Sequence, residues 1–166
     1  MKLNITKLCI KNIYRLTNMI NLNTINSRIS KIRGYIKILK ELKDNNKDDF
    51  ISNYKIYGLA ERYLQLSIEC LLDISNHIIS RLEIKKPETY QDIFIILGIN
   101  SIIPEKFAKK LAKMAGFRNI LVHGYTNIDE TIVYNHLQDE IPDFDKFIKY
   151  ILKFLNQNIN HNQKKK

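Results

Sequence analysis

The segment Phe117-Arg118-Asn119-Ile120-Leu121-Val122-His123-Gly124-Tyr125 gathers a fixed cation, an amide, an imidazole and a phenol within eight positions. Arg118 stays charged and can fork onto anionic oxygens. His123 can take or give a proton near neutral pH. Tyr125 offers a hydroxyl two residues further on. The spacing of Arg118 and His123 decides little alone: six Arg and four His in 166 residues produce an Arg-x4-His pair in roughly one such chain in seven. Helix geometry is more informative. At about 100° per residue, Arg118 and His123 lie about 140° apart, whereas Asn119 and His123 share a face. The cation and the imidazole converge only if the Arg side chain wraps round, the helix distorts, or a second copy of the chain completes the site.

Other chemistries find less support. His77, His123, His136 and His161 form no i, i+4 pair of the zinc-protease kind, and no cysteine pair lies near them. Five scattered glycines give neither Walker nor dinucleotide spacing. No metal and no cofactor is expected. Asp73 and His77 are i, i+4 on one long helix and read either as a cleft-facing pair or as a helix-surface pair. Glu69 and Asp73 carry the same ambiguity. Without a further constraint His123 also reads as a helix-end histidine, Arg118 as a surface ion pair, and Tyr125 as ordinary packing after a Gly turn.

The elements that must position these residues are helical almost throughout. Ile25, Ile29, Ile32, Ile36 and Leu39 make one apolar stripe over residues 24–43. Asp44 to Asp48 reads as a polar loop. Residues 54–82 are apolar around more than half the circumference, as in a central bundle helix. A short helix over 89–97 stops at Gly98. Pro104 starts the next, with Ser101 as a capping candidate, and Gly124 closes it. A short helix over 130–137 follows Asp129, and Pro142 starts the last, whose buried face runs from Phe144 to Leu155. The pattern predicts an all-α fold: an antiparallel bundle of four main helices plus short ones. Residues 1–23 form a basic N-terminal extension, 24–155 the helical domain, and 156–166 a polar, basic tail.

Composition bounds the remaining classes. The chain carries a formal charge of +10, with 29 Ile, 21 Lys and 18 Asn, a bias that A/T-rich codons alone produce. Residues 1–40 hold nine Lys or Arg and no Asp or Glu, and the tail adds three Lys, while residues 41–163 sum to −2. The surplus therefore belongs to the two ends, where codon drift, tracking of nucleic-acid phosphates or lying on a membrane would each account for it. No run approaches the roughly 18 apolar residues of a membrane span. Two cysteines and an opening without a secretory pattern fit a cytoplasmic location.

FRNILVHGY resembles the signature of the HEPN ribonuclease toxins, and most closely their HepT-like branch. The similarity extends through AERYLQLSIECLLDISNHII, KPETYQDIF, IPEKFAKKLAKMAGFRN and VYNHLQDEIPDFDKFI, over about residues 24–155. The resemblance implies a helical bundle that forms a homodimer or a higher oligomer, with two motifs lining a shared cleft. It implies metal-independent cleavage of RNA, with Arg118 and His123 as the catalytic pair and Asn119 as the polar residue beside them. It further implies an MntA-like nucleotidyltransferase antitoxin that transfers AMP onto Tyr125. No membrane partner is expected, because the apolar face of the basic N-terminus is not clean. RNA supplies its own 2′-OH nucleophile, and AMP on Tyr125 would add bulk and negative charge beside the phosphate path. The alternative is a non-catalytic HEPN adaptor that only binds a nucleotidyltransferase.

Overall fold

The structure, a computed structural model, describes residues 20–123 and 128–163, with side chains within 20–122 and 128–157. Six helices follow in order: α1 (Leu22–Lys43), α2 (Lys47–Ser52), α3 (Tyr54–Arg81), α4 (Tyr90–Ile99), α5 (Glu105–His123) and α6 (Glu130–Gln163). Among the described residues there is no strand. The four long helices are the expected bundle; α4 is the short helix expected over 89–97, while the short helix expected over 130–137 is the first part of the continuous α6, and α2 was not expected.

Cross-helix contacts show the antiparallel order. Along α1 and α3, Asn21 meets His77, Arg28 meets Asp73, and Tyr35 meets Tyr63. Along α5 and α6, Phe107 meets Tyr150, Lys110 meets Asp143, and Phe117 meets His136. In each series one number rises as the other falls. The stripe on α1 is buried as its spacing predicts: Ile25, Ile29, Ile32, Ile36 and Leu39 all face the core. The Asn21 side chain starts that helix by accepting from the Asn23 and Thr24 amides. Ile20 is buried as well, so the folded unit begins before residue 24. α4, the one apolar run that could pass for a strand, is fixed as a helix by a capping box between Thr89 and Asp92.

Three local expectations change. The segment after Asp44 is not all loop, because Asn46 caps the short α2 and Phe50 is fully buried against the edge of Tyr134. Burying that one ring contributes about 2 kcal/mol, which suffices to pin a turn and a half that has no periodicity to read.

Gly98 does not stop α4. It lies inside the helix, and a Cβ there would come within 2.7 Å of the Ala108 Cβ. Its smallness lets α4 and α5 close into a hairpin. Ser101, at φ 56°, makes the turn between them, and the Pro104 carbonyl accepts from the Ala108 amide.

Pro142 does not start a helix either. It sits inside the continuous α6. Proline lacks the N–H that would bond the carbonyl four residues back, which here is that of Gln138. Lys43 Nζ donates to that carbonyl at 2.7 Å, and Gln138 Nε2 donates to the Lys43 carbonyl at 3.2 Å. The end of α1 thus replaces the missing bond. At its other end α6 continues past residue 155 to Gln163.

Candidate active site

α5 carries the motif and packs chiefly on α4, with α3 behind. Phe107, Leu111, Met114, Phe117 and Leu121 form its buried stripe. Arg118 lies between the last two, and its side chain is only 14% exposed. A cation held that far from water needs partners. Nη2 donates to Glu69 Oε1 of α3 at 2.9 Å, and the guanidinium carbon lies 5.0 Å from the centre of the Tyr90 ring of α4. The same Glu69 oxygen accepts from Gln65 Nε2 at 2.9 Å, and Gln65 Oε1 accepts from Arg62 Nη1 at 3.1 Å. The guanidinium is therefore held from one edge and one face.

Two buried polar atoms in this cluster have no hydrogen-bond partner among the described residues: Arg118 Nε and Asn119 Oδ1. Buried polar atoms are nearly always bonded, so adjacent orphans mark a place where function and packing compete. The rotation of α5 is fixed from its other side. The Phe117 ring stacks on His136 of α6, centroids 3.6 Å apart, and His136 Nδ1 lies 2.7 Å from Glu140 Oε1. Burial pushes the Glu140 carboxyl above its ordinary range, and the hydrogen bond from His136 offsets part of that. With Phe117 clamped toward α6, Arg118 is directed at α3 and α4.

α5 remains helical to position 123. The His123 side chain and residues 124–127, including Tyr125 and the closing Gly124, lie outside the described residues. Asp73 and His77 sit on α3 one and two turns beyond Glu69, and both hold α1. Asp73 Oδ2 pairs with Arg28 Nε at 3.1 Å, and His77 Nε2 accepts the Asn21 amide at 3.1 Å. The acid that meets Arg118 is Glu69. Tyr90 and Gln65 had no sequence signal at all, because their role depends on helices distant in the chain coming together. Among the described residues no three His, Cys, Asp or Glu side chains cluster as metal ligands.

An antiparallel helical bundle with Arg-Asn-x3-His closing its fifth helix is the arrangement of the HEPN class of ribonuclease domains. The family model for HepT-like ribonucleases matches residues 32–151; the chain belongs to the HepT-like ribonuclease family. It is 32% identical over 131 residues to the tRNA nuclease HepT of Aphanizomenon flos-aquae, covering 79% of this chain and 89% of that one. It is 30% identical over 125 residues to the mRNA nuclease HepT of Shewanella oneidensis, covering 75% and 93%. A crystal structure of a toxin–antitoxin with AMP-PNP superposes with a TM-score of 0.74 at 28% identity, over 79% of this chain and 98% of the other. The tri-AMPylated Shewanella oneidensis HEPN toxin in complex with MNT antitoxin gives 0.72 at 29% identity, over 78% and 97%. Among the described residues no helix is long and apolar enough to cross a membrane.

Proposed function

We propose that this chain is the toxin of a type VII toxin–antitoxin pair, a metal-independent endoribonuclease acting in the cytoplasm. The observation that carries the reading is the Arg118 guanidinium, nearly buried toward the end of α5, with no hydrogen-bond partner for its Nε among the described residues. In the reaction a ribose 2′-OH attacks the adjacent phosphorus, and the P–O5′ bond breaks. The products are a 2′,3′-cyclic phosphate and a 5′-OH. His123 moves the proton, as base toward the 2′-OH or as acid toward the leaving oxygen. Arg118 stabilises the charge that builds on the phosphoryl oxygens. Asn119, with a free buried carbonyl oxygen, orders the strand beside it. Because Arg118 and His123 leave the helix about 140° apart, a homodimer that sets one copy's motif against the other's supplies the convergence.

Regulation follows from Tyr125, two residues beyond the imidazole. A partner nucleotidyltransferase of the MntA kind transfers AMP to its hydroxyl, and the added phosphate repels and blocks the RNA. The relatives are named for different RNAs, so fold and motif specify the cleavage rather than the RNA chosen. Co-expression with an MntA-like nucleotidyltransferase, followed by mass spectrometry, tests the switch. AMP units on Tyr125 are expected; a neutralised toxin with an unmodified Tyr125 contradicts it. EDTA should leave cleavage unchanged, and loss of activity on chelation contradicts the metal-free mechanism.

A further inference from the structure

The near-neutral middle of the chain hides a strong local segregation of charge. From Glu105 to Arg118, α5 carries four Lys and one Arg against a single acid. Lys106, Lys109, Lys110 and Lys113 converge on a groove of about 550 Å³ between α5 and α6, and Lys146 closes it from α6. Its floor is aromatic: Phe107 and Tyr150 pack with ring centres 5.4 Å apart, and Lys146 Nζ lies 5.1 Å from the Phe107 ring. Two of the five charges are neutralised locally, Lys109 by Glu105 at 2.8 Å and Lys110 by the buried Asp143. Lys106, Lys113 and Lys146 are exposed and form no ion pair among the described residues. Low-GC drift explains how many lysines the chain has, but not why these converge.

The groove connects to the motif. Positions 109, 113, 116, 120 and 123 follow one another at steps of four and three, so they form a single row along α5. Lys109, Lys113 and Ile120 are exposed on it, and Gly116 leaves the row without a side chain. From Lys113 to position 123 the row is about 15 Å long at 1.5 Å per residue. An extended strand of a few nucleotides spans that distance.

We propose that this groove binds the phosphodiester backbone of single-stranded RNA and leads it along the exposed row of α5 to the cleavage site. Unpaired ammonium groups over an aromatic floor suit a strand whose phosphates and bases alternate. The proposal rests on the ribonuclease reading for what happens at position 123, but its binding claim is separable from cleavage.

The test compares the wild-type chain with a Lys106→Gln/Lys113→Gln/Lys146→Gln variant and with the matching triple Lys→Arg variant. RNA affinity is read by fluorescence anisotropy across a salt series, and cleavage by KM and kcat. The Gln variant should bind a 20-mer about tenfold more weakly, and its log K against log salt slope should fall by about 2, at about 0.7 per phosphate contact. Its KM should rise with kcat unchanged. The Arg variant should match wild type, and a dinucleotide too short to reach Lys113 should be cut equally by all three. Unchanged RNA affinity and salt slope in the Gln variant overturn the proposal. So does an unchanged RNA affinity accompanied by lost binding to the nucleotidyltransferase, which makes the groove a protein interface. A wild-type chain that binds RNA without cutting it refutes the ribonuclease reading instead, and the binding comparison still decides the groove.

Discussion

Arg118 is held between α3 and α4 with its side chain only 14% exposed. Glu69 takes one guanidinium nitrogen, Tyr90 takes a face, and the buried Nε has no partner among the described residues. If Arg118 acts on the phosphate as proposed, Glu69 positions it, and the loss of Glu69 should harm turnover more than folding. Replacing Glu69 with Ala should lower kcat about tenfold, the size of one charge-assisted hydrogen bond. Tyr90→Phe keeps the ring and should stay near wild type, while Tyr90→Ala should not. Steady-state kinetics beside thermal melts check this: equal losses for the two Tyr90 variants would contradict a role for the ring. Arg118, Asn119 and His123 stand out in the sequence because their side-chain types fall within six residues inside a run that resembles the family signature. Glu69 was visible only as one of several acids on α3, since its partner lies 49 residues away.

At the scale of elements, periodicity located every long helix, because an apolar stripe is a local pattern. It failed where a distant group changed the local rule. Pro142 reads as a break until Lys43 occupies the Gln138 carbonyl. Gly98 reads as a stop until α5 is seen to pass within contact of it. The glycines give a paired test. Gly98→Ala should destabilise by about 1–3 kcal/mol through overpacking, whereas Gly34→Ala, with nothing within 4 Å of its added Cβ, should stabilise α1 by up to about 1 kcal/mol. Denaturant melts of both variants decide it, and a neutral Gly98→Ala would contradict the close approach.

The start of α1 should also depend on pH. His77 Nε2 accepts the Asn21 amide and so must be unprotonated there. Burial and the nearby Arg81 depress its pKa below the ordinary 6.5. The unfolded chain therefore binds the proton more readily. The stability that neutral His77 contributes is present above 6.5 and is lost as pH falls through that value toward the folded pKa. His77→Gln keeps an acceptor that does not titrate. Between about pH 7.5 and about pH 5.5, wild type should lose more Tm than the variant; parallel losses would contradict the link.

At the scale of the whole molecule, the +10 charge says less than its distribution in the folded bundle. The sum over residues 41–163 is −2, yet α5 and α6 set five lysines around one groove. No linear reading shows that, because residues 106–113 and 146 meet only in the folded bundle. The proposed convergence of Arg118 with His123 through a homodimer would likewise be a property of the assembly, beyond any linear reading. The most direct measurement is cleavage of RNA by purified wild type, Arg118→Ala and His123→Ala, with circular dichroism showing all three folded. Wild type should yield fragments ending in 2′,3′-cyclic phosphate and 5′-OH, and neither variant should yield any above background. Cleavage at the wild-type rate by either variant would contradict the proposed catalytic pair.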